Sequence, residues 1–545
     1  HLAVAWRNLR RRRLFTAIHL AGLSIGMASC ILISLYAREE LRYADYHTKG
    51  DRVYRVLRET RQGGNWKFSV GTSGALTPAL RQDFTEVEAA ARLLDDWWVL
   101  VRHGDEQTML DVGLGDPELL EMFDIELLTG DVATALARPN TAVITPSAAR
   151  HLLGDIDPIG QVVTVEDNNL GKDYVITGVM SAMSPYAAVT FDMLTAHPTP
   201  ESAQLNGVFD DWQVQVSWRP FQNFVMLREG ADVERVRAAL PAFTEQHLGA
   251  EAAADVRFHL QPVNRIRSYS QADYGMSRPA DKGWSSKDRS IGALYRLLLV
   301  GGLILLIACA NFMNLATAQS ARRAREVGLR KVIGATRRQL VRQFLGEALL
   351  LSCAALVLAV GLAWLSLPAF NALMETNLDF TLGGPLLAVL AALALAVGLL
   401  SGAYPALFLS RFHPAQTIRG RLTSRASAPG LRRSLVVVQF GIAGVLVVAS
   451  IAIYQQTAFM EGADLGWSPQ RLINLPLGRY DVTTPFETMK AAFAEHPQVI
   501  GATVSQPAPG SFNGVEYHEV QPQGEEPGDW RMQVIGIDAD FLETF

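Results

Sequence analysis

Apolar and polar positions separate into long blocks along this 545-residue chain instead of interleaving. Five runs are apolar on every side: residues 14–36, 292–316, 344–370, 385–410 and 434–456. Each is about 20 residues or longer, which at about 1.5 Å rise per residue is enough to cross a hydrocarbon core of about 30 Å as helix. A helix at the surface of a soluble core keeps a polar stripe. Stretches such as LYRLLLVGGLILLIACANF and LLAVLAALALAVGLL have none. The five runs are therefore predicted to be transmembrane helices.

The segment 37–291 has a different period. Short β-branched runs alternate with helical patterns, as an α+β domain requires. TAVITPSAARHLLG reads as a strand and then a helix stopped at Gly154. QVVTVEDNNLGKDYVITGVM reads as two strands around a polar turn, and NFVMLREGADVERVRAALPAF as a strand followed by an amphipathic helix. Residues 275–290 are polar and rich in Gly, Pro and Ser, and are expected to loop back to the membrane. The predicted fold class is an α-helical polytopic membrane protein, with five transmembrane helices in this chain, carrying α+β extracytoplasmic domains.

The segment 457–545 reads as the start of a second such domain. VGLGDPELLEMF (Val112–Phe123) returns as VIGIDADFLETF (Val534–Phe545) in its aliphatic positions, its Asp, its Leu-Glu pair and its last Phe. Each lies about 100 residues after a basic-then-apolar boundary, at Arg10 to Leu14 and at Arg432 to Leu435. A duplicated unit is expected, each copy one span followed by one outside domain. By symmetry the second, incomplete domain would be completed after Phe545 and about three more spans added, giving about eight.

Charge adds an orientation. A net charge of −5 is too weak a bias to argue for nucleic acid or another polyanion. Its distribution is informative. Arg7 and Arg10 to Arg13 precede the first run; Arg322, Arg325, Arg330 and Lys331 lie in 317–343; Arg411, Arg419, Arg421, Arg425, Arg432 and Arg433 lie in 411–433. Basic residues near span ends orient helices toward the cytoplasm. Residues 1–13, 317–343 and 411–433 are thus expected inside and 37–291 and 457–545 outside, in a multi-pass protein of the inner (cytoplasmic) membrane. The first run exceeds the roughly 7 to 15 apolar residues of a secretory signal, and no A-x-A-like site follows it, so it reads as retained. Cys30, Cys309 and Cys353 all sit inside apolar runs, which leaves no disulfide framework and no thiolate metal cluster.

The basic stretch RRAREVGLRKVIGATRRQL (Arg322–Leu340) continues the second run in helix-favouring residues. Leu329, Val332 and Ile333 can line one side of it, and the cations the others, with Val327, Leu329 and Ile333 expected to face a region that has no bilayer core. Gly334 is a plausible helix stop, and Thr336 with Gln339 three residues later forms a capping box that starts the next helix. The expected product is a short, rigid, cationic elbow at the inner face. Positive-inside orientation and anionic lipid account for the charge. They do not account for the tight punctuation, nor for apolar side chains with no bilayer core to enter; those suit a protein groove.

Polar and small residues inside the runs need partners of their own. Gly22 and Gly26 form a G-x-x-x-G suited to close helix packing, including at a dimer interface. Asn311 and Asn314 require hydrogen-bond partners, with the interface or the elbow favoured over a second helix. Glu347 requires protein, water or a cation such as Arg342, and Tyr404-Pro405 is expected to kink the fourth run.

Catalytic constellations are missing from the sequence. It has no G-x-x-x-x-G-K-[ST] phosphate loop, no H-E-x-x-H, no Cys/His ligand spacing and no G-x-S-x-G. A non-catalytic chain without catalytic, cofactor-binding or metal-binding residues is expected. REVGLRKVIGATRRQLVRQFLGEALLLS resembles the cytoplasmic signature of the MacB/FtsX-like ABC transporter permeases. AWRNLRRRRLFTAIHLAGLSIGMA, SGAYPALFLSRFHPAQTIRG and DLGWSPQRLINLPL are similar to that family too. The resemblance covers essentially the whole chain, in the long, duplicated eight-span subgroup, with the C-terminal third absent. It implies a permease subunit whose ATP is bound by a separate ABC ATPase subunit. The elbow would be the coupling helix, with Arg325, Glu326, Gly328, Arg330, Lys331, Gly334 and Ala335 as the contact set. It further implies export or efflux by mechanotransmission, a homodimer or pseudo-dimer, contact with membrane lipid and a periplasmic adaptor. The alternative is an FtsX-like regulatory scaffold that controls an extracytoplasmic partner and moves no cargo.

Overall fold

A computed structural model of the chain describes residues 13–42, 46–62, 64–94, 98–167, 170–184, 187–196, 221–276, 290–318, 327–374, 376–380, 383–410, 429–463, 472–475, 486–506, 516–519 and 531–544. These fall into two compact units, residues 1–40 with 292–463 and residues 41–291 with 464–545.

The first unit is helical. Thr16–Arg42, Ile291–Ala318, Arg337–Met374, Leu386–Leu407 and Arg433–Gly462 are long and apolar enough to cross a membrane, and form the first to fifth membrane helices. Where no hydrophobic force drives helices together, small residues decide how closely they approach. A methyl group added to Gly26 would lie 2.9 Å from Ala308 Cβ, and one on Gly301 would lie 3.0 Å from Ile33 Cδ1. His19 stacks obliquely on Phe312 at 4.5 Å, and the Cys30 thiol donates to the Gly301 carbonyl at 3.2 Å. These pairs run in opposite sequence directions, so the first two helices are antiparallel. Ser24 Oγ donates to the Ala355 carbonyl at 3.1 Å, and Tyr36 meets Phe370 edge-on, so the first and third helices are parallel. The third and fourth are antiparallel. Gly398 lies against Leu349, Gly402 against Ala348, and Ser352 Oγ donates to the Ala394 carbonyl at 2.7 Å.

The first helix is thus held between the second and third, with the fourth against the third. Alternating directions carry the ends at Arg13, Ala318, Arg337 and Leu409 to one face. The fourth helix continues through Pro405 to Leu409. Asn314 Nδ2 donates to Gln439 Oε1 on the fifth helix at 3.2 Å. Asn314 therefore bonds across helices, where the sequence favoured a partner at the interface or in the elbow. Cys30, Cys309 and Cys353 are free thiols.

The second unit is α+β. In chain order its main elements are β1 (Val53–Gln62), β2 (Asn65–Ser69), α1 (Leu76–Asp83), β3 (Val87–Leu94), β4 (Trp98–His103), β5 (Glu106–Gly115), α2 (Glu118–Met122), β6 (Leu127–Thr129), β7 (Thr141–Ile144), α3 (Pro146–Leu153), β8 (Val162–Asp167), β9 (Leu170–Met180), β10 (Met193–Ala196), β11 (Gln222–Leu227), α4 (Val233–Ala253), β12 (Val256–Pro262) and α5 (Ile266–Tyr274). The strand and helix expected from TAVITPSAARHLLG are β7 and α3. The Thr145 hydroxyl caps α3 at the Ala148 amide, and Gly154 ends it at φ 62°.

Two assemblies share this chain. β1-α1-β3 and β11-α4-β12 form an antiparallel sheet in the order β3-β11-β1-β12, the split βαβ arrangement. Its helices cover one face, burying Val56, Leu76, Leu80, Val225 and Phe243. Between β3 and β11 the strands β4 to β10 make a closed barrel. Around it β5, β10, β7, β9, β8 and β4 pair in turn, and β4 returns to β5. Closure leaves this ring without a free edge. Alternate side chains point inward, among them Val101, Val112, Ile144, Val163, Ile176 and Met193.

β5 belongs to both assemblies. It meets β3 over only two residue pairs, Leu93 with Gly115 and Leu94 with Leu114. Asp116 secures this short seam. Its carboxylate accepts the Arg92 amide at 2.7 Å and the Arg92 Nε and Nη2 at 2.9 Å each, while its own amide donates to the Arg92 carbonyl at 3.1 Å.

The end of the chain repeats this seam. Its elements are α6 (Phe486–Ala494), β13 (Ser505–Gln506), β14 (Glu516–Glu519), β15 (Arg531–Val534), β16 (Gly536–Ile537) and α7 (Phe541–Thr544). Ser505 pairs with Ile537 and Gln506 with Gly536, in the register of Leu93 with Gly115 and Leu94 with Leu114. The Asp538 amide donates to the Val504 carbonyl at 3.2 Å, as that of Asp116 does to Arg92. β14 pairs with β15 antiparallel, as β4 does with β5. The likeness therefore extends well beyond the twelve-residue sequence match. Only the cation changes place: Lys490, on α6, reaches Asp538 at 3.2 Å.

Two outcomes follow from this packing. Gly26→Leu overpacks the first two helices and should cost about 1–3 kcal/mol, read as a lower unfolding temperature in detergent, whereas Gly22→Ala should be close to neutral. Asp116→Asn keeps the shape of the seam but leaves the half-buried Arg92 without its counter-charge. It should cost about 3 kcal/mol in the same measurement.

Candidate functional site

The elbow between the second and third membrane helices is built from backbone punctuation. A short helix over 327–332 ends at Gly334, whose φ of 99° is open to glycine and strained for other residues. The Ala335 amide donates to the Arg330 carbonyl at 3.0 Å and the Gly334 amide to the Lys331 carbonyl at 3.1 Å. This pair of bonds is a Schellman turn, which satisfies carbonyls that a helix end would otherwise leave open. The third helix then starts at once. The Thr336 amide donates to Gln339 Oε1 at 2.9 Å, and the Gln339 amide donates to Thr336 Oγ1 at 3.4 Å. Both arms of the capping box are present.

Side chains fasten the elbow to the ends of the third and fourth helices. Val327 is buried among Leu340, Phe344 and Ala406. Arg330 Nη1 donates to Gln343 Oε1 at 2.6 Å, and Gln343 Nε2 passes the contact on to Glu347 Oε1 at 3.2 Å. Lys331 Nζ donates to the Ser410 carbonyl at 2.7 Å, and Arg337 Nε to the Ser410 hydroxyl at 3.3 Å. Burial, followed by the neighbouring Arg337 guanidinium, holds the Lys331 ammonium below its ordinary range. The outer side of the elbow is apolar. Leu329, Val332 and Ile333 are 61, 59 and 77% exposed.

Of the seven residues assigned to coupling, Arg325 and Glu326 lie outside the described residues. Gly328 is buried, Arg330 and Lys331 are half-buried and tied back onto the chain, and Gly334 and Ala335 form the turn. The four basic and apolar positions at 329, 330, 332 and 333 thus divide by role: the apolar ones face outward and Arg330 folds inward. Val327, expected on the outward side, is inside. Gln343 and Ser410 were missed, because each acts only through a partner 13 or 79 positions away. The acid at 347 is reached through Gln343 as well as lying one turn along the helix. Gly22 and Gly26 face Asn311 and Ala308 of the second membrane helix in the same chain.

Comparison with known proteins covers both units. The MacB-like periplasmic core domain matches residues 16–243, and the FtsX-like permease C-terminal domain matches residues 298–414. The macrolide export ATP-binding/permease protein MacB of Bdellovibrio bacteriovorus is 25% identical over 52% of this chain and 39% of its own. The pyoverdine export ATP-binding/permease protein PvdT of Pseudomonas fluorescens is 25% identical over 71% of this chain and 54% of its own. The chain thus spans about half or less of the length of these relatives. Among solved structures, the periplasmic region of MacB from Actinobacillus actinomycetemcomitans aligns with 42% of this chain and 95% of its own, at 11% identity and a TM-score of 0.27. With a periplasmic core domain and a permease domain matched in their expected order, the chain belongs to the MacB/FtsX-like family of ABC transporter permeases.

Proposed function

We propose that this chain is the permease subunit of an ATP-driven export machine, and that a separate ATPase chain docks on the outer ridge of the elbow. The observation that carries the reading is the combination of an exposed apolar ridge, Leu329, Val332 and Ile333, with a backbone pinned at both ends. Exposed aliphatic side chains at a helix end gain little from water and suit a protein groove. A docking lever must also resist bending, and the Schellman turn, the capping box and the buried Val327 supply that stiffness. The names of the relatives couple ATP binding with a permease. No phosphate loop lies within residues 1–545, and the proposal takes ATP binding to reside on the docked ATPase.

The face that gathers Arg13, Ala318, Arg337 and Leu409 is assigned to the cytoplasm, because the basic segments of the sequence adjoin it. Residues 41–291 are then extracytoplasmic and the N-terminus is inside. The helices act as levers: motion imposed at the elbow reaches the third and fourth helices directly, through Val327, Gln343 and Ser410. Mechanotransmission to the outside domain, for export or efflux, is the output this favours.

The geometry changes which substitutions test the idea. Reversing Arg330 or Lys331 would break the elbow's own fastenings, so loss of binding there would be ambiguous. Leu329→Ser, Val332→Ser and Ile333→Ser together remove the ridge and leave those fastenings in place. With a co-expressed ABC ATPase that co-purifies with the wild-type chain, the triple variant should co-purify at least about ten-fold less while inserting into membranes normally; unchanged co-purification would reject the docking surface. ATP-dependent export into vesicles by the wild-type pair, or its absence when binding is intact, separates a transporter from a regulatory scaffold.

A further inference from the structure

Residues 46–50 follow the first membrane helix in sequence and belong to the second unit. Three consecutive side chains dock this stretch on the barrel assembly. His47 Nε2 accepts a hydrogen bond from the Ala188 amide at 2.9 Å, in the loop that leads into β10. Thr48 donates from both its amide and its hydroxyl to Asp124 Oδ2, at 2.8 Å each. Lys49 Nζ reaches the Glu121 carbonyl at 3.0 Å and its carboxylate at 3.3 Å. Gly50 closes the turn, its amide bonded to the His47 carbonyl at 3.1 Å, with Asn264 beside it.

The three contacts differ in their dependence on solvent. Those of Thr48 and Lys49 are exposed and screened, and each is individually weak. His47 is only 8% exposed, with its ring edge-on to Phe123 at 5.3 Å and to Tyr46 at 5.0 Å. An imidazole that accepts at Nε2 is neutral and carries its proton on Nδ1. A second proton would set two N–H donors against each other across 2.9 Å. It would also leave a cation in a largely buried site.

The surroundings oppose that cation only in part. Burial pushes the His47 imidazole below its ordinary value, while the Asp124 carboxylate and the Phe123 carbonyl pull it back up. Glu121 is engaged with Lys49, and Tyr46 is a ring contact. Residues 187–191 of the facing loop and Asn264 carry no titratable group. A folded-state value below the free one means the docked form is fully supported above pH of about 6.5. That support is lost as pH falls through about 6.5 toward the docked value.

We propose that residues 46–50 form an acid-released clamp, in which neutral His47 holds this stretch against the barrel and a protonated imidazole lets the stretch and the loop before β10 separate. The clamp is regulatory, and it is independent of which ATPase docks at the elbow. Its signal is the proton concentration around the second unit, and its element is the one sequence segment between the first membrane helix and β1.

The test is hydrogen exchange of the full chain in lipid nanodiscs, corrected for intrinsic rates. Between about pH 7.5 and 5.5 the Ala188 amide of the wild type should lose protection by about three- to ten-fold, the upper figure being the most that one imidazole with a free value of about 6.5 allows over that range, while amides of β5 and β9 keep theirs. His47→Gln, whose Oε1 can accept from the same amide and does not titrate, should hold Ala188 protection within about two-fold over that range. The clamp is rejected by flat wild-type protection, by a parallel loss in His47→Gln, or by simultaneous loss across β5 and β9, which would mark general unfolding.

Discussion

The elbow depends on one left-handed residue. Gly334 reverses the chain between two helices within a single turn, and the two amide bonds around it leave no slack for the helix ends to drift. The stiffness of the elbow follows from that constraint. Because the turn is tight, Val327 is carried back among Leu340, Phe344 and Ala406, while Leu329, Val332 and Ile333 are left facing away. A looser connection would let the apolar residues collapse onto the helix ends, where burial would favour them by about 25 cal/mol per Å². The exposed ridge is therefore maintained by backbone geometry against the hydrophobic effect.

The cations of the elbow act inward. Arg330 and Lys331 satisfy acceptors on the third helix and at the end of the fourth, so their charge is partly spent on holding the two helices and the elbow as one body. Lys331 donates to a backbone carbonyl near a helix C-terminus, where the macrodipole also favours a positive charge. The positive charge that the sequence reading assigned to orientation is thus also an internal fastening. Replacing either cation would loosen the elbow itself, which is why charge alone is a poor guide to what its outer side does.

Much of this was legible in the sequence where the signal is local. Five apolar runs without a polar face gave helices, Thr145 and Gly154 bracketed α3, and Thr336, Gln339 and Gly334 marked the turn. Long-range pairing was not legible. Nothing near Arg330 announces Gln343, and nothing near Asn314 announces Gln439 on the fifth helix. The barrel was hidden for the same reason: β10 pairs in parallel with β5, some 80 residues earlier, and a ring closed by such a contact leaves no periodic trace. The inward position of Val327 escaped because an apolar residue at a helix start serves equally well inside or outside until the turn direction is fixed.

The two copies of the β3–β5 seam show which part of a contact is constrained and which is free. In both, an aspartate follows the shared strand, its backbone amide bonds the opposite carbonyl, and its carboxylate takes a donor from the facing segment, the Arg92 amide in one copy and the Thr503 hydroxyl in the other. The counter-charge is not bound to one position: Arg92 supplies it from the neighbouring strand, Lys490 from the preceding helix. An ammonium is a compact point charge on a flexible stem, and so can reach the carboxylate from another element; a guanidinium makes a two-pronged fit only from alongside. The acid carries the geometry and the base merely neutralises it. That asymmetry fits a seam that keeps its aspartate, Asp116 and Asp538, while Val504 stands at the position of Arg92.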